Sequence, residues 1–85
     1  MSIHMVEKAL FDIAANTQNV RAYRGGPVDY LKAYRLEADE VGMIEQMDVR
    51  EMINRGVNPM LVMRVFSAIE GREKMPEYMR RLRED

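Results

Sequence analysis

An all-α fold is predicted: a compact bundle of five or six short helices around one central apolar helix. Three observations carry this. Apolar residues recur three and four apart along most of the chain, and no stretch keeps the strict alternation of a strand. Gly, Pro and Asn fall between these periodic segments, where helices stop and restart. The stretch from Asn54 to Gly71, NRGVNPMLVMRVFSAIEG, holds a helix from about Pro59 to Glu70 that is apolar on most of its circumference. A solvent-facing helix needs only a stripe, so this one is buried from several sides or meets another chain.

The elements follow in order. Residues 1–4 are expected to fray. Val6, Leu10, Ile13 and Ala14 mark an amphipathic helix from Met5 to Ala15. Asn16 and Thr17 offer a recapping point, Val20 and Tyr23 share the next face, and Gly25-Gly26-Pro27 ends it. Pro27 opens a short helix through Arg35, with Val28, Leu31 and Tyr34 on one face and Leu36 as a plug at its end. Glu37 to Glu40 place acids at the positive end of the next helix dipole, and Val41, Ile44 and Met47 form its apolar stripe. Asp48 caps a helix from Val49 to Arg55 that turns Val49, Met52 and Ile53 inward. Gly56 stops that helix. Asn58 and Pro59 start the central one, and Gly71 ends it. Residues 72–85 read as a charged C-terminal appendage with Met75, Tyr78, Met79 and Leu82 at helical spacing.

Eighty-five residues suit one domain, 1–85, near the size at which a single core just supports a fold. Without cysteine the sequence holds no disulfide, thiolate metal site or cysteine nucleophile. Thirteen basic against fourteen acidic side chains give a net charge of -1, which argues against binding nucleic acid by phosphate neutralisation. No apolar run is long enough for a membrane span, and MSIHMVEK lacks the pattern of a signal peptide, so the expected location is the cytoplasm. His4 is the single histidine, a poor start for a metal site. Gly25-Gly26 lacks the strand and the Lys-Ser/Thr of a phosphate loop. The acidic residues stand at helix starts or on solvent faces with no histidine or cysteine beside them, and they do not form an acid–base or nucleophile pair. Nine methionines are many for this length, and they serve equally as core filling and as an adaptable interaction surface.

The order of elements supplies a resemblance. A first helix ends at Asn19 to Tyr23, and a second carries Tyr30 and Leu31. Leu36 precedes an acidic helix start, and Asp48, Gly56 and a polar-Pro turn lead into an apolar helix near Leu61. From Ala9 to about Ile69 this resembles the small helical alpha subunit (LigA-like) of protocatechuate 4,5-dioxygenase-type extradiol ring-cleavage enzymes. The resemblance implies a non-catalytic chain that packs over the active site of a larger subunit, where two histidines and a carboxylate hold Fe(II). It implies no cofactor and no catalytic residue in this chain, and no residue is carried over as a substrate contact.

Two other readings stand beside it. Val49 to Ala68 has the outline of a helix-turn-helix, although Pro59 to Met63 offers few polar groups to read base edges. A generic helical protein pairing with a second copy through Met60, Met63 and Phe66 is the other. The expected partner contacts are Asn58, Met60, Met63 and Arg64, followed by Tyr78, Met79 and Leu82, while Leu61, Val65, Phe66 and Ile69 are assigned to the core.

Overall fold

Polar and glycine-containing breaks cut this chain into segments too short to hold as isolated helices, so their stability comes from packing apolar faces together. A computed structural model describes residues 3–83. Among them seven α-helices succeed one another: α1 (Ile3–Ala15), α2 (Thr17–Gly25), α3 (Pro27–Leu31), α4 (Ala38–Glu45), α5 (Val49–Asn54), α6 (Pro59–Glu70) and α7 (Met75–Arg83). A single 3-10 turn, Arg72–Lys74, leads into α7. The fold is all-α, and no strand occurs among the described residues.

The breaks work through side chains that satisfy early amides. Asn16 accepts from the Asn19 amide at 2.8 Å, and the Asn19 side chain donates to the Asp12 carbonyl at 2.6 Å, which fixes α2 against the end of α1. Asp48 accepts from the Glu51 amide at the start of α5. At α4 the Glu40 carboxylate accepts from the Glu37 amide at 2.8 Å, which explains how a glutamate 5% exposed is tolerated there.

Two helix ends share one turn. The Val57 amide reaches back to the Met52 carbonyl and the Gly56 amide to Ile53, with Gly56 in the left-handed region at φ 101°. At the end of α4 the Asp48 amide reaches Met43 and the Met47 amide reaches Ile44, with Met47 left-handed at φ 53°. Glycine is the usual occupant of that position. A methionine there bears a cost of roughly 1–2 kcal/mol, of the same size as burying its side chain, which is 3% exposed.

The core gathers around one face of α6. Val62, Val65 and Phe66 are fully covered, and α1, α2, α5 and α7 all pack on this helix. From α1 come Val6, Ala9, Leu10 and Ile13, and from the middle of the chain Leu31, Ile44, Val49 and Met52. Tyr23 is buried with its hydroxyl donating to the Ile44 carbonyl at 3.3 Å. Burial pushes that phenol up to about 12, with the Glu45 charge a smaller cause. Tyr34 donates to Asp12 at 2.6 Å and thereby ties the loop after α3 to α1. This bond holds the Asp12 carboxyl below its ordinary value. The Cα extents are 30 × 28 × 17 Å, so the short dimension accommodates about two layers of helices.

Several expectations change. α1 begins at Ile3, which packs against the core, so His4 lies on the first turn of a helix and not in a frayed end; residues 1 and 2 fall outside the described range. α3 ends at Leu31, four residues early, and Val28 is 44% exposed instead of facing inward, because Tyr30 and Leu31 are the residues that turn this short helix toward the core. Of the expected appendage over 72–85, residues 75–83 pack on the core as α7, and residues 84 and 85 lie outside the described range. Tyr78 on α7 is 4% exposed and its ring lies 5.3 Å from that of Phe66. The Arg81 guanidinium sits 5.3 Å from the Phe66 centroid, a cation–π arrangement, while donating to the Met47 carbonyl and to Glu77. Charge density along the sequence concealed an apolar edge that this small core uses.

Phe66→Ala removes the ring on which α6, α7 and Arg81 converge. A loss of about 3–5 kcal/mol is expected in urea unfolding followed by far-UV circular dichroism, which a domain of this size tolerates poorly. A second expectation concerns pH. Arg80, then Arg81, hold the Glu77 carboxyl at about 2 in the folded chain against an ordinary 4.5. Its contribution is therefore complete above the ordinary value and disappears as pH falls through about 2. Glu77→Gln should be less stable than the parent at neutral pH, with the gap closing in acid; a gap independent of pH would refute this role.

Candidate partner-docking surface

Helical geometry divides α6 into two faces. Val62, Val65, Phe66 and Ile69 stand three and four apart and turn inward. Met60, Met63, Arg64 and Ser67 share the same spacing on the opposite side. Met60 is 71% exposed and Met63 38%, and Arg64 is exposed beside them. With only two layers of helices, no third layer covers this side.

Asn58 begins the surface. Its side chain accepts from the Met60 amide at 2.9 Å, and its own amide donates to Glu7 of α1 at 2.9 Å. Asn58 is exposed, so the expected contact residue is also the cap that fixes where Met60 points. At its other end the surface deepens into a groove of about 330 Å³ lined by Met63, Arg64, Ser67, Arg72 and Met75. The turn that forms it depends on Gly71, left-handed at φ 96°. A β-carbon at Gly71 would lie 2.8 Å from the Glu73 carboxylate. Met79, one turn beyond Met75 on α7, is 53% exposed.

The structure thus brings together Met60, Met63 and Arg64 on one face of α6 and leaves Met79 exposed on α7. It removes Tyr78, which is core, and leaves Leu82 partly buried against that core. Ser67, Arg72 and Met75 were missed. Their signal was Met75 standing four before Met79, but joining it to Met63 required the backbone to fold back at Gly71, which the spacing alone does not reveal.

The electrostatics of the groove are one-sided. Neither Arg64 nor Arg72 is paired with a carboxylate among the described residues, and no acidic side chain lines the groove. Arg55 and Arg50 lie elsewhere and are engaged. Arg55 bridges Glu51 at 2.6 Å and Asp39 at 2.9 Å, and Arg50 donates to the Arg83 carbonyl. Arg50 lines a separate cleft of about 320 Å³ between α5 and α7, where acidic and basic side chains alternate. A helix-turn-helix would array these arginines along one groove-facing side; here Arg50 and Arg55 are divided from Arg64 and Arg72, and the start of α6 presents Met60.

Among the described residues no three His, Cys, Asp or Glu side chains stand together where a metal ion could be held. The two-histidine, one-carboxylate iron set does not fit a chain with one histidine. No helix of the described residues is long and apolar enough to cross a membrane. Comparison with protein-family models, with curated proteins and with solved structures finds no match to this chain.

Proposed function

We propose that this chain is a non-catalytic, cytoplasmic docking subunit that binds a larger protein through the outer face of α6. One observation carries the reading: Met60 and Met63 remain exposed on the outer face of α6 while Val62, Val65 and Phe66 of the same helix are fully buried. Methionine loses little by rearranging and gives polarizable contact, which suits a surface that moulds to a partner. A groove with an apolar floor and a polar rim is also how an interface centre is organised.

The partner that the sequence resemblance favours is the Fe(II)-bearing subunit of an extradiol ring-cleaving dioxygenase acting on catechol-type aromatics. In that arrangement this chain supplies cover over the active-site mouth, excluding water and shaping the pocket, while iron and catalytic groups belong to the partner. What supports it is the correspondence of elements from Ala9 to about Ile69, together with the exposed outer face of α6. A second copy of the chain is the competing occupant.

Affinity purification of the tagged protein from its own cells, followed by mass identification and iron analysis, tests the reading. A larger iron-containing chain should co-elute with the parent and be lost from Met60→Asp and from Met63→Asp. Both variants should keep the parental helical spectrum, since neither side chain is core. Elution alone, without iron, would overturn the dioxygenase assignment, and unfolding of Met63→Asp would return that residue to the core.

A further inference from the structure

Resting on the docking reading, we propose that the groove between α6 and the start of α7 receives an acidic amphipathic segment of the partner. A large apolar side chain of that segment seats between Met63 and Met75, and its carboxylates pair with Arg64 and Arg72.

The argument starts from sign. The chain carries a net charge of -1, yet the walls of this groove hold two arginines and no acid. Several basic groups elsewhere are paired: Lys8 with Asp12, Lys32 with Asp29, Arg55 with Asp39 and Glu51, and Arg80 and Arg81 with Glu77. Arg64 and Arg72 have no such partner among the described residues, and they stand together where the surface is apolar. Guanidinium groups beside an apolar floor match a helix or turn with carboxylates flanking a hydrophobic anchor.

Shape narrows the occupant further. The groove is of about 330 Å³ and opens to solvent along the edge of the domain. A small molecule bound tightly is usually enclosed over some 70–90% of its surface, which an open edge does not provide. A side chain delivered by a peptide brings its own backbone as cover. Met63 and Met75 arise from different helices and each has a flexible stem, so the floor adjusts to the anchor as helix-in-groove sites do.

The test uses the full chain with methionine methyl groups isotopically labelled. Two synthetic helices of about 18 residues, long enough to hold helicity, carry leucine on one face and either glutamate or lysine on its flanks. The glutamate peptide should shift the Met63 and Met75 methyl resonances, and binding should weaken as salt rises. In the double variant Arg64→Glu, Arg72→Glu, with an unchanged helical spectrum, affinity for the glutamate peptide should fall about tenfold or more while the lysine peptide gains. The proposal is overturned if the parent binds both peptides alike, if neither moves those methyls, or if a DNA duplex or an anionic vesicle moves them and the glutamate peptide does not. Concentration-dependent dimerisation that shifts the same methyls would assign the groove to a second copy and overturn it too. If the partner co-elutes with Arg64→Glu, Arg72→Glu as it does with the parent but is lost from Met60→Asp, the acidic segment falls while the docking reading stands.

Discussion

The inner face of α6 is the constraint on which the rest of this molecule depends. Phe66 meets Tyr78 and Arg81 from α7, while Val62 and Val65 belong to the core that Val6, Leu10 and Ile13 build from α1. In a domain this small each fully buried side chain of that size contributes about 1.5–3 kcal/mol, against a total stability of only about 5–15. α1, α2, α5 and α7 are consequently recruited to cover one side of α6. The opposite side has nothing left to cover it, because seven short helices arranged in about two layers cannot surround a helix completely.

The same economy explains the ends of the chain. A segment as charged as Met75–Arg83 would stay in solvent if composition alone decided. It docks because Tyr78 fills the space beside Phe66 and because its charges are satisfied locally. Glu77 holds Arg80 and Arg81, and Arg81 spends a remaining donor on the Met47 carbonyl. That carbonyl belongs to the residue held left-handed at the end of α4. α7 therefore also braces the turn between α4 and α5, and packing at one end of the chain stabilises backbone geometry in the middle.

Much of this was legible in the residues. Asn16, Asp48, Asn58, Pro59, Gly56 and Gly71 announce helix starts and stops by chemistry that acts within a few residues, and each does so in the structure. The all-α class follows from the same local signals. What stayed hidden required knowledge of distant neighbours. Met47 ends a helix although methionine carries no stop signal, since what keeps it there is tertiary burial. Val28 looked inward by spacing and faces out, because α3 is too short to present a whole face. Tyr78 looked like a contact and is core. Within the candidate surface, Met60, Met63 and Arg64 were readable from periodicity on one helix, whereas Arg72 and Met75 enter only through the fold-back at Gly71.

The two faces of α6 also differ in the stiffness of their side chains, which bears on how one helix can serve as both core and interface. Val62 and Val65 are branched at Cβ and hold nearly one rotamer in a helix, and Phe66 is locked by its neighbours. They give the inner face a fixed shape. Met60 and Met63 have unbranched stems with many rotamers available, so the outer face has little shape of its own until something lies on it. Ordering them costs conformational entropy, which weakens binding, but the same freedom lets the surface fit a partner without disturbing the packed side. Because the two faces share only the backbone, substitutions on the outer one should leave stability near the parental value. That separation is what allows a core with little to spare to carry an interface on its central helix.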